Sequence, residues 1–441
     1  MAPGESRYFR KFVSNYGMVF VLMLLVLVFS VLTLEKSMPA GPEAGRQLAG
    51  SILSENPFAV VLAAAGESAD DRQFVDALRE CLERSDGTLL ASSNGDAASA
   101  RKAIEAALDT GRPITHLALS GTSRRWTVFD QFDAKQLGRY VTPQESTWPV
   151  FARTQNLINI ANNTAIYAII AVGMTMVIIT GGIDLSVGSL VALAAVTAAV
   201  IVERNGGLDA DNPTLLLAAT ASVGICGAAG GFLGIMVTRF RIPPFIVSLS
   251  LMQIARGLAF RLTDGKSISA IPERWTAFGG GSLFGIPMPV FLMILLYVAA
   301  HILMSHTSFG RYVYAVGGNP EAARLCGVPV RRILVTVYII CGALAGIAGL
   351  ILSSKLRSGD PKIGNMLELE VISAVVVGGT SLMGGEGRIL GTLIGAFIIA
   401  VISNGMNLLS VDSYDQRIIM GAVLLAAVLI DNIKRKRTDG P

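Results

Sequence analysis

Long apolar runs alternate with short polar stretches over most of this 441-residue chain. The first run, 16–34, follows three basic residues; it could be a cleaved secretory signal, but its length favours a signal anchor. Nine more apolar runs follow from about residue 157, each close to the length of a membrane span. They cover 157–180, 185–203, 214–237, 243–262, 288–305, 331–353, 367–383, 389–409 and 416–431. The pattern predicts an all-α polytopic membrane protein with about ten transmembrane helices and both termini in the cytoplasm.

Residues 35–149 carry a different pattern, with many acidic residues and only short apolar runs. Strand patterns at 58–65, 88–92 and 115–119 alternate with amphipathic helix patterns at 70–84 and 96–109. Asp70 is the predicted N-cap of the first of these helices. This order predicts a small soluble α/β module with a parallel sheet, inserted between the first two spans on the extracytoplasmic side.

The predicted organisation therefore has four parts. They are a cytoplasmic N-terminus with the first helix (1–34), the extracytoplasmic insert (35–149), a transmembrane domain of about nine helices with a cytoplasmic loop at 306–330 (150–433), and a basic cytoplasmic tail (434–441).

Composition supports a membrane protein and excludes a water-soluble enzyme. Hydrophobic residues make up 52% of the chain and charged residues only 15%, well below the usual share in soluble domains. The net charge is +4, and the basic residues lie in short loops and at the two ends of the chain. This distribution indicates membrane topology rather than nucleic-acid binding. Four cysteines and three histidines are scattered, so we expect neither a disulfide framework nor a metal site.

The stretch 181–189 places glycines and an acid between two apolar runs. Gly182 and Asp184 would be costly in lipid, so the stretch either is buried in protein beside a water-filled space or forms a tight cytoplasmic turn in water. Ser186 is expected to cap the helix that follows. Since no acid–base partner lies nearby in sequence, a catalytic role is not expected.

Three more charged residues fall in or beside apolar runs. Arg256 is an intramembrane cation, and Asp184 is a candidate counter-charge for it. Glu368 and Glu370 lie near a predicted boundary. They could contact a polyhydroxylated substrate or a neighbouring loop, or they could simply lie in water.

The longest predicted cytoplasmic loop contains a short helix signal. Asn319 is a suitable N-cap, Pro320 fits the first helical position, Glu321 favours the positive end of the helix dipole, and Gly327 would end the helix. Such a helix could dock on a partner, or it could be an ordinary solvated loop helix.

A phosphate-binding loop is missing from the sequence. The only near match is Gly265-Lys266-Ser267, where Phe260 occupies the position of the required first glycine. Nucleotide hydrolysis would therefore have to come from another polypeptide.

Taken together, these stretches resemble the permeases of the ribose, xylose, galactose and arabinose ABC importers. The resemblance spans about 155–431 and is carried by 171–193, 242–249, 255–257, 309–327, 370–387 and 404–409. It implies a bacterial inner-membrane transport subunit, not an enzyme, that binds no cofactor itself and is driven by ATP used on cytoplasmic ATPase subunits. It also implies a second permease subunit, expected to be an identical copy, and an extracytoplasmic sugar-binding protein.

The resemblance also implies roles for particular residues. The ATPase-coupling loop falls on Asn319, Glu321, Ala322, Ala323, Arg324 and Gly327, and the translocation pathway or gate on Gly182, Asp184, Ser186, Arg256, Glu368 and Glu370. The insert 35–149 departs from the family. Its strand–helix order is similar to the opening part of a sugar-binding protein, so it could assist docking of that protein or serve only as a spacer.

Three alternative functions stay open at this point. An ion-coupled secondary transporter would relay charge through Asp184, Arg256 and Glu370. A branched-chain amino-acid ABC permease would share the general plan, although the Gly-Ile-Asp-Leu-Ser run favours the sugar branch. A membrane sensor is disfavoured because no signalling domain pattern follows the last span.

Overall fold

The computed structural model describes the backbone of residues 3–37, 41–144 and 146–438. It describes the side chains of residues 17–35, 41–133, 135–144 and 147–429, so the side chains of the predicted basic tail lie outside the described residues. The chain divides into two compact units, one of residues 1–32 and 151–441 and the other of residues 33–150. The first helix, α1 (Pro3–Leu32), belongs to the larger unit.

The smaller unit contains a four-stranded parallel sheet in the order β3-β2-β4-β5. An antiparallel ribbon of β1 with β6 joins its two ends. Its elements are β1 (Leu34–Ser37), α2 (Gly41–Glu55), β2 (Val60–Ala65), α3 (Ala69–Glu83), β3 (Thr88–Asn94), α4 (Ala97–Asp109), β4 (His116–Leu119), α5 (Ala134–Leu137), β5 (Arg139–Val141) and β6 (Ser146–Pro149).

Apolar residues of β2 alternate between the two faces of this sheet. Val61 and Ala63 pack with α2 and α3, whereas Leu62 and Ala64 pack with α4. The three strands and two helices expected from the sequence lie within a few residues of these bounds, and α2 and β5 are additional.

The first predicted helix cap of this unit is wrong. The side chain of Ser68, not Asp70, accepts from the backbone N–H of Asp71 and begins α3. Asp71 is buried, and its carboxylate accepts from the hydroxyls of Ser68 (2.7 Å) and Thr122 (3.2 Å). Two loops at the carboxyl edge of the sheet are thereby tied together.

The larger unit is helical after residue 151. Its helices are α6 (Thr154–Ile179), α7 (Val187–Arg204), α8 (Asn212–Phe240), α9 (Pro244–Thr263), α10 (Met288–His306), α11 (Ser308–Gly318), α12 (Pro320–Leu325), α13 (Val330–Leu356), α14 (Leu367–Val377), α15 (Ile389–Leu408) and α16 (Ser413–Thr438). In the described part, seven helices are long and apolar enough to span a membrane; these are α6, α7, α8, α9, α10, α13 and α15. The fold is therefore that of a mainly helical polytopic membrane protein.

The predicted span 367–383 is wrong as a continuous helix. Here α14 ends at Val377, and a glycine-rich turn occupies 378–388. Gly379, Gly384 and Gly385 have positive φ values of 83°, 87° and 77°, a backbone conformation that glycine adopts without strain. Apolar composition alone conceals this break, because the turn is itself rich in glycine and apolar residues.

The helices of the larger unit form two halves with the same element order. A constant offset of 176 residues relates Thr154 to Val330, which begin α6 and α13, and also Asp184 to Asp360. In each half a long helix is followed by a non-helical segment and a second helix. Gly173 meets Cys341 whereas Asn163 meets Lys355, so α6 and α13 run antiparallel. The two halves are therefore inverted relative to each other.

Candidate functional site

Two non-helical segments, 180–186 and 357–366, lead into α7 and α14 and repeat the same local structure. In the first, Asp184 Oδ1 accepts from the backbone N–H of Ser186 at 2.9 Å. In the second, Asp360 Oδ1 accepts from the backbone N–H of Lys362 at 2.8 Å. Each aspartate forms the side-chain turn that short acidic residues favour, and each is followed four residues later by a glycine.

These two glycines, Gly188 and Gly364, meet backbone to backbone. A Cβ added at either would collide with the carbonyl oxygen of the other. The offset of 176 residues also relates the pair, so the contact lies where the two inverted halves meet. Only glycine permits this approach, since any side chain would occupy the space of the facing backbone.

Asp184 is fully buried, so the structure agrees with the buried interpretation rather than the turn exposed to water. Its Oδ1 also accepts from the Ser186 hydroxyl at 2.6 Å, while Oδ2 has no hydrogen-bond partner among the described residues. Ser186 precedes α7 as predicted, but its side chain bonds to Asp184 and does not cap the helix. This hydroxyl contact is additional to the backbone contact that the two aspartates share.

The predicted pairing of Arg256 with Asp184 is wrong. Arg256, on α9, donates through Nη1 to the backbone carbonyls of Pro361 (2.7 Å) and Ile363 (2.8 Å). A guanidinium has donors enough to satisfy both carbonyls of a segment that lacks helical hydrogen bonds. Arg256 therefore positions the segment before α14.

A cavity of about 440 Å³ lies among α6, α14, α15 and α16. It is located where α6 and α16 begin and α15 ends, and its lining residues farthest from that end include Tyr167, Glu370 and Ser373. Its volume is in the range of sites for small molecules. Amide side chains dominate its polar lining, which includes Asn163, Asn365, Asn404, Asn407 and Gln416.

Of the predicted pathway residues, only Glu370 lines this cavity. Glu368 lies instead against Gly188, where a Cβ added to the glycine would collide with its carboxylate. Gly182 lies against the hydroxyl of Tyr338. The structure thus separates the residues that contact the cavity from those that hold the two interrupted segments.

The lining amides were not predicted from the sequence. Asn163, Asn404 and Asn407 lie in two predicted spans that are far apart in sequence, so their shared exposure to one cavity could not be predicted from the local pattern. A signal for the internal repeat was present. The pattern Asp-x-x-x-Gly occurs at 184–188 and again at 360–364, each time after a long apolar run.

The predicted loop helix exists as α12. Asn319 Oδ1 accepts from the backbone N–H groups of Glu321 and Ala322, both at 3.0 Å, and confirms the predicted cap. Pro320 is the first helical residue, and Gly327 follows the helix with φ +84°. Arg324 lies 3.6 Å from Glu321 in an exposed ion pair.

The two sides of α12 differ in exposure. Ala323 is 5% exposed, whereas Leu325 is 84% exposed. Ala323 therefore anchors α12 to the rest of the unit, while the opposite side of the helix faces outward.

Residues just before α12 contact two other parts of the larger unit, the end of α6 and the glycine-rich turn 378–388. Gly317, two residues before the cap of α12, packs against the carbonyl of Ile179 at the end of α6. The same carbonyl accepts from the backbone N–H of Gly385 at 2.8 Å, and Tyr314 donates to the carbonyl of Gly387 at 2.8 Å. The residues just before α12 therefore contact both the segment that precedes α7 and the turn that follows α14.

Comparison with known proteins shows which families and proteins this chain is similar to. Residues 156–428 match the family described as branched-chain amino acid transport system / permease component. The ribose import permease protein RbsC of Escherichia coli strain K12 is 44% identical over 291 residues, which cover 65% of this chain and 88% of the relative. That of Bacillus subtilis strain 168 is 43% identical, covering 65% and 87%. The L-arabinose ABC transporter permease protein AraH of Azospirillum brasilense is 39% identical, covering 66% and 84%.

No solved structure matches the chain. The family match begins after the smaller unit, whose bounds are Thr33–Val150. The prediction of a transport subunit rather than an enzyme is confirmed, as is that of a multi-pass inner-membrane protein. ATPase and binding-protein partners are general to such permeases. This chain belongs to the permease family of ATP-binding-cassette importers.

Proposed function

We propose that this permease carries a monosaccharide, an aldopentose such as ribose or arabinose, across the inner membrane with ATP hydrolysed by separate subunits. The cavity among α6, α14, α15 and α16 is the observation that supports this cargo. Amides and hydroxyls both donate and accept hydrogen bonds, as sugar hydroxyls do, so they can replace the water around a neutral sugar. The cavity also has apolar side chains, Ile160, Leu369 and Ile399 among them, so the choice of a sugar over a branched-chain amino acid rests on the relatives named above, which are ribose and arabinose permeases.

The proposed topology has ten spans with both termini in the cytoplasm. It adds α1, the short α14 and α16 to the seven long apolar helices of the described part. The cavity then opens on the extracytoplasmic side and α12 lies in the cytoplasm. A second identical permease subunit would complete the transporter.

Uptake measurements test this function directly. The chain is reconstituted in proteoliposomes with its ATPase and binding protein, and entry of labelled D-ribose and L-arabinose is followed. We expect uptake that requires ATP, is blocked by vanadate and persists when a protonophore collapses the proton gradient. Uptake that follows the proton gradient and survives ATP depletion would establish the ion-coupled alternative instead.

The coupling role of α12 is proposed from its capped, exposed helix and from the contacts of the residues just before it with Ile179, which precedes the segment 180–186, and with the turn 378–388. Asn319, Glu321, Ala322, Ala323, Arg324 and Gly327 would form the surface that enters a cleft of the ATPase. Glu321→Lys reverses a charge on this surface and should leave ATP hydrolysis running while uptake falls at least about tenfold, the effect of roughly one lost charge-assisted contact.

Glu273→Lys provides the matched control. It makes the same charge change on another exposed glutamate, in a short 3-10 helix between α9 and α10. Uptake should be unchanged in this variant. A Glu321→Lys transporter with full coupled uptake would refute the docking surface.

The unit 33–150 is proposed to contact the sugar-binding protein, since its parallel sheet leaves two edge strands, β3 and β5. Deletion of 40–147 should weaken uptake that depends on the binding protein. Unchanged uptake and apparent affinity would show that this unit is only a spacer.

A further inference from the structure

We propose that Glu370 makes the cavity selective for uncharged sugars, so that the permease itself rejects sugar acids. This inference rests on the proposed function. It adds a second selection step, after the one made by the binding protein, and assigns it to one side chain.

The Glu370 carboxylate lines the cavity without a neutralising partner. No ion pair or hydrogen bond joins it to another residue of the described part of the chain. The neighbouring Tyr167 directs its hydroxyl to the carbonyl of Ala396 (3.1 Å), so that hydroxyl is not free to donate to the carboxylate. The nearby cation Arg256 is held by two backbone carbonyls of the segment before α14.

The remaining polar lining favours a neutral ligand with many hydroxyls. Lys355 donates to Asn163 Oδ1 at 2.6 Å, which occupies the amide oxygen and leaves its N–H donors. Gln416 likewise donates to Asn407 Oδ1 at 2.8 Å. These amides offer donors to sugar oxygens, while Glu370 can only accept while it is ionised. A hydroxyl satisfies both requirements because it donates to the carboxylate and accepts from an amide.

A sugar acid of the same size does not satisfy them. Its carboxylate brings a second negative charge close to Glu370, and two like charges repel each other. Arg417 also lines the cavity, on the second turn of α16, but no ion pair joins it to Glu370 among the described residues.

The residue equivalent to Glu370 in the first half of the larger unit is not an acid, which supports a specific role for Glu370. The offset of 176 residues relates Glu370 to Ala194, which is buried in the packed interior of α7. The repeat therefore does not require an acid here for folding. The acid occurs only in the half that contains the cavity.

The test measures ligand protection of a cysteine placed in the cavity. In the full chain, in membranes, Cys81 and Cys326 are replaced by serine because they are accessible, and the buried Cys226 and Cys341 are kept. Ser403→Cys then reports on the cavity, since Ser403 lines it. The rate of modification by a charged methanethiosulfonate reagent is measured with about 20 mM D-ribose or sodium D-ribonate, since transit sites bind in the millimolar range.

We expect D-ribose to slow modification about threefold and D-ribonate to leave it unchanged. With Glu370→Gln added, protection by ribose should weaken and protection by ribonate should reach the same level, because the repulsion is removed. Glu203→Gln, which removes a carboxylate from the exposed end of α7, should keep the original preference for ribose.

Equal protection by ribose and ribonate in the unchanged cavity would overturn the proposal, as would a preference for ribose that survives Glu370→Gln. Absence of protection by either ligand would also overturn it if ATP-driven ribose uptake is intact. Loss of uptake of any sugar would instead refute the proposed function, so the two failures are distinguishable.

Discussion

Helices α8 and α15 occupy equivalent places in the two inverted halves, yet they pack differently. α8 lies directly against α13, and a Cβ added at Gly230 would collide with the carbonyl of Tyr338. α15 faces α6 in the same way, but a cavity lies beside their contact. The offset of 176 residues relates Gly227 to Ser403 and Gly231 to Asn407, both of which line that cavity.

The comparison shows how a repeated scaffold acquires a polar site. Small residues let two helix backbones approach closely, which excludes water and solute. In the other half, Ser403 and Asn407 stand where the first half has Gly227 and Gly231, and they present hydrogen-bonding groups to the cavity. One half of the unit is therefore a packed support, and the other is the half that can receive a substrate.

The largest expected effect comes from disturbing the packed half. Gly230→Leu forces a side chain into the backbone of α13 and should cost about 3 kcal/mol or more of folding free energy. The yield of monodisperse protein in detergent should collapse. Gly224→Leu, at an exposed position of the same helix with open space around it, should leave the yield unchanged. Equal yields from the two variants would contradict the packing argument.

A smaller effect is expected where the two halves meet. Gly188→Ala places a methyl group against the Gly364 carbonyl and the Glu368 carboxylate, which should cost about 1–3 kcal/mol and abolish transport by separating the interrupted segments. Thermal unfolding and uptake measure these effects. Gly257→Ala has open space around it and should alter neither.

A third variant makes α15 resemble α8. Ser403→Gly with Asn407→Gly gives α15 the residues of the packed half at two cavity positions. The protein should fold, but uptake should fall about tenfold, as expected for the loss of one or two hydrogen bonds to the solute. Normal uptake would show that these side chains do not contact the pathway.

The smallest effect is expected outside the repeat, at Asp71 in the unit 33–150. Burial alone would raise the pKa of Asp71, but hydrogen bonds from Ser68, Ser120, Thr122 and the backbone of Gly66 outweigh it and lower the pKa. Asp71→Asn should cost about 1–2 kcal/mol within this unit and leave uptake nearly normal. Hydrogen exchange of α3 in the full chain measures the change.

The same carboxylate predicts a pH dependence. Because the folded pKa is depressed, its stabilising contribution is present above the unfolded value of about 3.9 and is lost as the pH falls through the lower folded value. Exchange of α3 should therefore accelerate under acid in the original chain and much less in Asp71→Asn. Equal acid sensitivity of the two would assign the effect to another group.

Much of the local structure was predictable. The membrane spans follow from apolar length, which the bilayer fixes, and α12 follows from the side chain of Asn319 acting on its own first turn. The short α14 was not predictable, because its end at Val377 depends on a glycine-rich turn whose residues continue the apolar pattern.

The candidate site divides in the same way. Glu370 stood out as a charge beside an apolar run, but the amides of α6, α15 and α16 did not, because they are uncharged and lie in three separate spans. Arg256 was expected to find a charged partner and instead satisfies two backbone carbonyls. A charge in a membrane must be paired, but the sequence does not specify its partner.

The sequence by itself determined the class of protein, the approximate positions of most spans and the capped loop helix. These depend on residues that act on their own segment or on the bilayer. The tertiary structure decided which polar residues share the cavity, how Gly188 meets Gly364, and which half is packed. Those features depend on contacts between different helices, such as Gly188 with Gly364 and Gly230 with Tyr338, and such contacts leave no period in the local pattern.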